Sequence, residues 1–113
     1  GLANLYATGD GVASNDSLAK SLYTRACRDD AAACLQLGIF AQAGRGGSPD
    51  FQSAARHFRT ACDRRNGEAC YRLGVMHETG AGTFRDPERA TEFRTRACSY
   101  GHAAACPKPK AAS

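Results

Sequence analysis

Asn66–Cys98 reads NGEACYRLGVMHETGAGTFRDPERATEFRTRAC. Gly80 and Gly82 divide it. Before them, apolar or small residues and one histidine fall at 70, 73, 74 and 77; after them, apolar residues fall at 90, 93 and 97. Both sets carry the three-and-four spacing of a buried helix face. Gly80 stands where a left-handed residue ends a helix. Asp86 is an N-cap acceptor, and Pro87 sits at the first helical position after it. The stretch therefore predicts a hairpin of two helices, with a cysteine near each end.

The same marks recur upstream. Gly9, Gly44 and Gly80 are 35 and 36 residues apart, and Gly11, Gly46 and Gly82 follow them by two. Leu2, Leu37 and Leu73 precede them by seven; Asn15, Asp50 and Asp86 follow by six; Ala19, Ala54 and Ala90 follow by ten. Ala26-Cys27, Ala61-Cys62 and Ala97-Cys98 end the copies, and the register slips only once, by one residue between Cys27 and Cys34. Asn15, Asp50 and Asp86 are the predicted N-caps, and Gly44 and Gly80 the predicted C-caps. Gly67 and Gly101 are expected to close the second helix of two units. Gly38, Gly74 and Ala3 are expected to face Ala54, Ala90 and Ala19, which lets paired helices approach closely. Helices this short are marginal alone, and stacked hairpins bury a continuous core. The fold class is therefore all-α: an α/α solenoid of about three helix-turn-helix repeats of period 36. The whole chain, 1–113, reads as a single domain with units 1–30, 31–66 and 67–102 and a truncated fourth-unit stub at 103–113.

At 113 residues, 42% of them hydrophobic and 23% charged, the chain has the composition of an ordinary globular protein. No run approaches the ~18 apolar residues that cross a bilayer, and no membrane insertion is expected. No signal-peptide pattern opens the chain; its abrupt Gly1-Leu2 start reads as a mature or trimmed product. Twelve Arg and three Lys against eleven acids give a net charge of +4. These bases are scattered and form no stripe, so no nucleic-acid partner is expected.

The pattern A-x-x-x-L-G-x-x-x-x-x-G-x-G, then D, then A, then an aromatic and A-C, stands here as Ala69, Leu73-Gly74, Gly80, Gly82, Asp86, Ala90 and Ala97. It resembles the Sel-like repeat, a relative of the tetratricopeptide repeat. Two cysteines per unit are similar to the Helicobacter cysteine-rich subgroup. The likeness runs from Leu2 to Cys106. Three features depart from it. Gly47 and Thr83 replace a valine that Val12 keeps; Phe93 is one step off the column of Tyr23 and Phe58; and no N-terminal capping unit is visible. The open edge at Leu2 and Leu5 is an expected surface for self-association or for upstream repeats.

In the resembled subgroup a disulfide joins the end of one unit's second helix to the start of the next unit's first. That implies Cys27–Cys34, Cys62–Cys70 and Cys98–Cys106. The residues themselves leave three readings open. Six cysteines allow fifteen connectivities, but repeat symmetry favours the local pairs, each worth ~2.5 kcal/mol by the chain-entropy model. Structural zinc needs four ligands at closer spacing; here there are only pairs, and His57, His77 and His102 occupy different places in the repeat. Redox chemistry needs C-x-x-C, which is absent. Disulfides point to an oxidising compartment, secreted or periplasmic, with the mitochondrial intermembrane space as the alternative. No metal and no cofactor is expected.

Ser17-Leu18-Ala19-Lys20 matches S-x-x-K, the nucleophile motif of penicillin-recognising enzymes. Neither K-T-G nor S-D-N accompanies it, and Ala19 belongs to the small-residue column. The paired glycines follow helices rather than strands, so they are turn glycines and not phosphate loops. His77 falls in a core-lining column, and Asp29-Asp30 read as solvated turn residues.

The family resemblance implies a superhelix whose inner wall, lined by the first helix of each unit, takes a ligand. On that wall the expected groove residues are Leu35, Ile39 and Gln42 in one unit and Tyr71, Arg72, Val75 and Glu78 in the next. Tyr and Arg dominate interaction hot spots. The expected function is a scaffold that holds a protein or peptide partner, without chemistry of its own. The alternatives are a weak β-lactam binder or hydrolase and an inhibitor or immunity-type protein.

Overall fold

The computed structural model describes residues 13–45 and 47–107. The N-terminal edge at Leu2 and Leu5, and Ala3 with it, lie outside that range. Five helices follow one another: α1 (Ala13–Ala26), α2 (Ala31–Ala43), α3 (Phe51–Asp63), α4 (Gly67–Thr79) and α5 (Pro87–Ser99), with a 3-10 turn at Ala103–Ala105. No strand occurs among the described residues. The helices α2 with α3 and α4 with α5 form hairpins, and α3 packs on α4 to stack one hairpin on the next.

Within each hairpin the loop is tied twice by one aspartate. The amide of Asp50 donates to Ala41 O at 2.8 Å, and that of Asp86 to His77 O at 2.8 Å. Their carboxylates then cap the second helix, accepting from Ser53 N at 3.0 Å and Arg89 N at 3.2 Å. Gly44 and Gly80 end the first helices with φ of 76° and 79°, the conformation their missing Cβ permits. Asn15, by contrast, lies inside α1, which starts two residues earlier at Ala13.

The predicted stripes are buried: Leu37, Ala41, Ala54, Phe58 and Ala61 in the central unit; Leu73, His77, Ala90, Phe93 and Ala97 in the last. Phe40 and Met76 join them, each 1% exposed. Small-against-small packing holds for Gly74, whose missing Cβ would lie 3.1 Å from Ala90 O. At Gly38 the partner differs. A Cβ there would come within 2.4 Å of the Phe58 ring, so Gly38 makes room for an aromatic rather than for Ala54. Arg94 occupies the Phe58 column one unit later. Its methylenes cover Gly74 (Cγ would be 3.3 Å from a Cβ there), and its guanidinium reaches Glu78 at 2.8 Å. That explains the displaced aromatic: Phe93 fills the core from one step away, stacked on His77 with ring centroids 5.4 Å apart.

The three cysteine pairs are disulfides: Cys27–Cys34, Cys62–Cys70 and Cys98–Cys106, with Cα separations of 4.7, 4.6 and 4.7 Å. No free cysteine remains, so the zinc and dithiol readings fall away. Each disulfide spans the linker between hairpins. In the longer linkers Asn66 N donates to Ala61 O and His102 N to Ala97 O; in the shorter one Asp30 N donates to the equivalent Ala26 O. The missing residue is absorbed by a tighter turn on the same carbonyl. Asp30 is therefore more than a solvated acid: its carboxylate caps α2 by accepting from Ala32 N at 2.9 Å.

Gly67 does not close α3. It is the first residue of α4, and the left-handed residue of that linker is Arg65, φ 68°. Gly101 does take the expected left-handed place, φ 94°. Gly67 is needed for another reason. A Cβ there would lie 2.9 Å from His102 Cβ and 3.0 Å from Ala97 O. The start of α4 thus lies hard against the end of its own hairpin.

Candidate functional site

That close approach at Gly67 builds a pocket. It brings His102 beside Tyr71, with ring centroids 5.1 Å apart and planes tilted by 42°. Glu68, Tyr71, Arg72 and Val75 follow the i, i+3, i+4, i+7 rule and share one face of α4. With Gln42 from the end of α2 and His102 from the last linker they line a cavity of 330 Å³. Arg72 is held there by Glu68, which accepts from Nε and Nη2 at 2.9 Å each. The pair cancels its own charge. What remains of the lining is close to neutral: the flat Tyr71 and His102 rings, Val75 and Gln42.

Of the seven groove residues expected from sequence, Gln42, Tyr71, Arg72 and Val75 meet in this cavity. Ile39 packs half-buried against the core. Leu35 is 7% exposed and belongs to the central core cluster. It is unavailable as a groove residue, because the next hairpin stacks on the face that carries it. Glu78 is exposed on α4 and pairs with Arg94. Glu68 and His102 were not among the expected residues. The i, i+4 relation to Arg72 marks Glu68 in the sequence. Nothing local marks His102, which arrives only through the folding of the linker.

Ser17 is exposed on α1 and Lys20 lies one turn on. No cluster of three or more His, Cys, Asp or Glu with metal-holding geometry occurs among the described residues. No described helix is long and apolar enough to cross a membrane.

The family model for the Sel1 repeat matches at residues 1–30, 31–66 and 67–102. The chain belongs to the Sel1 repeat family. Sel1 arrays of known structure superpose well on it. A Sel1 repeat protein from Oxalobacter formigenes aligns with a TM-score of 0.83 and 28% identity over 91% of this chain and 43% of its own. Helicobacter pylori cysteine rich protein B gives 0.75 and 26% over 78% of this chain and 67% of its own. A protective antigen of uropathogenic Escherichia coli strains with the same type of repeat fold gives 0.81 and 26% over 92% of this chain and 22% of its own. The chain thus spans less than half the length of two of these three. No curated protein sequence matches it. Sel1-repeat proteins are in general protein-interaction modules. Three disulfides and a cysteine-rich Helicobacter neighbour are consistent with an oxidising compartment.

Proposed function

We propose that this Sel1 array is a non-catalytic scaffold, secreted or periplasmic, that holds a protein or peptide segment on the inner wall of its spiral. The observation that carries the reading is the gathering of Tyr71, Arg72, Val75, Gln42 and His102 around one cavity. An aromatic anchor beside an arginine is the usual composition of an interaction hot spot. The Arg72–Glu68 pair fixes the guanidinium before a partner arrives, which lowers the ordering cost of binding. A tilted ring pair suits a flat or proline-like side chain of an extended segment.

The test is a non-reducing pull-down from the native compartment with the wild-type chain and with Tyr71→Ala and Arg72→Ala. A partner held by the wild type and lost from both variants, at unchanged helicity, supports the reading. Equal capture by all three sinks the pocket assignment. A chromogenic cephalosporin assay separates the scaffold from a β-lactam hydrolase: turnover by the purified chain would overturn the non-catalytic reading.

A further inference from the structure

A second surface lies on the other side of α4. Leu73 and His77 line it, whereas Tyr71 and Val75 line the pocket above. A two-residue step turns a helical side chain by about 200°, so the two surfaces look in opposite directions and share no lining residue. This cleft is the larger of the two, 580 Å³, and three arginines line it: Arg56 and Arg59 from α3 and Arg89 from α5.

Those cations are poorly neutralised. Arg45, Arg72, Arg94 and Arg96 each hold a carboxylate at 2.8–3.2 Å. Arg56 instead donates to the neutral Ser53 Oγ at 2.9 Å. Arg59 takes part in no ion pair among the described residues, and Arg89 meets Asp86 at 3.6 Å. Asp50 also lines the cleft and acts electrostatically on Arg56, and its carboxylate caps α3, so one acid there faces three arginines, with Asp86 held at the cap of α5.

An exposed ring stands at the rim. Phe84 is 92% exposed, yet the loop that carries it is fixed. Its carbonyl accepts from His77 Nδ1 at 3.3 Å, and His77 is buried against Phe93. Gly82 lies so close to Phe51 that a Cβ would be 2.4 Å from its carbonyl oxygen. Phe84 shares a neighbouring hollow with Gln52, Gly82 and Thr83, all of which also line the cationic cleft. A held, solvated phenylalanine next to arginines that outnumber the nearby acids serves no core among the described residues. It has the composition of an interaction anchor.

We propose that this cleft is a docking surface for an acidic polypeptide segment that carries an apolar residue among its carboxylates. Arg56, Arg59 and Arg89 take the carboxylates, and Phe84 takes the apolar side chain. Charge complementarity fixes the sign of the occupant. The ring favours a polypeptide over a small anion, which could use only the arginines.

The intact, oxidised chain is titrated against a fluorescein-labelled, glutamate-rich peptide with one central leucine, followed by anisotropy. Arg56 and Arg59 are exposed, so the Arg56→Ala/Arg59→Ala double variant is expected to weaken binding about tenfold or more at low salt, mainly through slower association. Phe84→Ala weakens the leucine peptide several-fold but leaves an all-glutamate peptide unchanged. Arg25→Ala/Arg28→Ala removes the same charge from exposed sites elsewhere and leaves affinity within about twofold. Tyr71→Ala has no effect, which separates this surface from the first. Absence of binding at low salt would overturn the proposal. So would equal weakening by both double variants, or equal competition by inorganic phosphate or by a single-stranded oligonucleotide. Circular dichroism of each variant guards against loss of fold.

Discussion

Arg65 and Gly101 occupy the same step of successive linkers, and both have left-handed backbones, with φ of 68° and 94°. The conformation is easy for glycine and costs a side-chain-bearing residue ~1–2 kcal/mol. Arg65→Gly is therefore expected to stabilise the chain. The extra freedom of glycine in the unfolded state returns ~0.5–1 kcal/mol of this, which leaves a gain of about 0.5–1 kcal/mol. Gly101→Ala should cost about 1 kcal/mol through backbone strain alone, because an added Cβ would meet nothing within 4 Å. Urea unfolding of the two variants, read as opposite shifts in midpoint, checks the pair; a flat result for both would contradict it.

Gly38→Ala should be more damaging. Its Cβ would sit 2.4 Å from the Phe58 ring, which is itself 0% exposed and cannot move into solvent. Overpacking of this kind costs ~1–3 kcal/mol. Phe58→Leu alone should also destabilise, by leaving unfilled space, yet in combination with Gly38→Ala it should recover part of the loss. A double-mutant cycle in thermal unfolding measures that coupling. Strict additivity would show that the two residues do not meet as described.

The disulfides differ in shelter. Cys62 and Cys70 are both 0% exposed, whereas Cys98 and Cys106 are both partly exposed. Reductant should therefore open Cys98–Cys106 before Cys62–Cys70, which alkylation and peptide mass spectrometry can order in time. Replacing Cys62 and Cys70 together by alanine should cost about 2.5 kcal/mol from loop closure alone. A variant that melts like the wild type would show that the clamp is dispensable.

His57 should make the fold acid-sensitive. Burial lowers its pKa below the ordinary 6.5, and the positive Arg56 and Lys20 lower it further, against a smaller opposing pull from Asp50. In the unfolded chain the ring takes up a proton near its ordinary pKa; in the folded chain it does so only at lower pH. As pH falls below 6.5 the unfolded state binds more protons, so stability declines until the folded-state pKa is passed. His57→Gln should flatten the stability profile over that window. An NMR titration of the wild-type ring should show a midpoint below the usual histidine value, and a midpoint above it would refute the argument.

The repeat was legible because its marks are backbone demands. Gly44, Gly80, Asp50 and Asp86 each announce a helix end by local chemistry that survives in any context. The same register favoured the local cysteine pairs, and the family resemblance implied them. Linker detail was harder to read. Gly67 looks like a helix stop but is a close-packing glycine, and the true left-handed residue is Arg65, a type that rarely takes that role. Asp30 looked solvated because the one-residue deletion hid its equivalence to Asn66. For the candidate pocket, Tyr71, Arg72 and Val75 were readable as one helix face. Leu35 holds the same column one unit earlier, and only the stacking of hairpins decides that Leu35 is covered while Tyr71 is half open. His102 and the cationic cleft arise between elements distant in sequence, where no periodicity points.

The short first linker and its longer counterparts span nearly the same distance, 4.7 Å against 4.6 and 4.7 Å between cysteine Cα atoms. Loop length therefore does not set the step from one hairpin to the next; the sulfur bridge and the shared alanine carbonyl do. Each linker carries its own weld, so each joint between hairpins is made locally. Such a chain can grow or shrink by whole cassettes without renegotiating the seams already made.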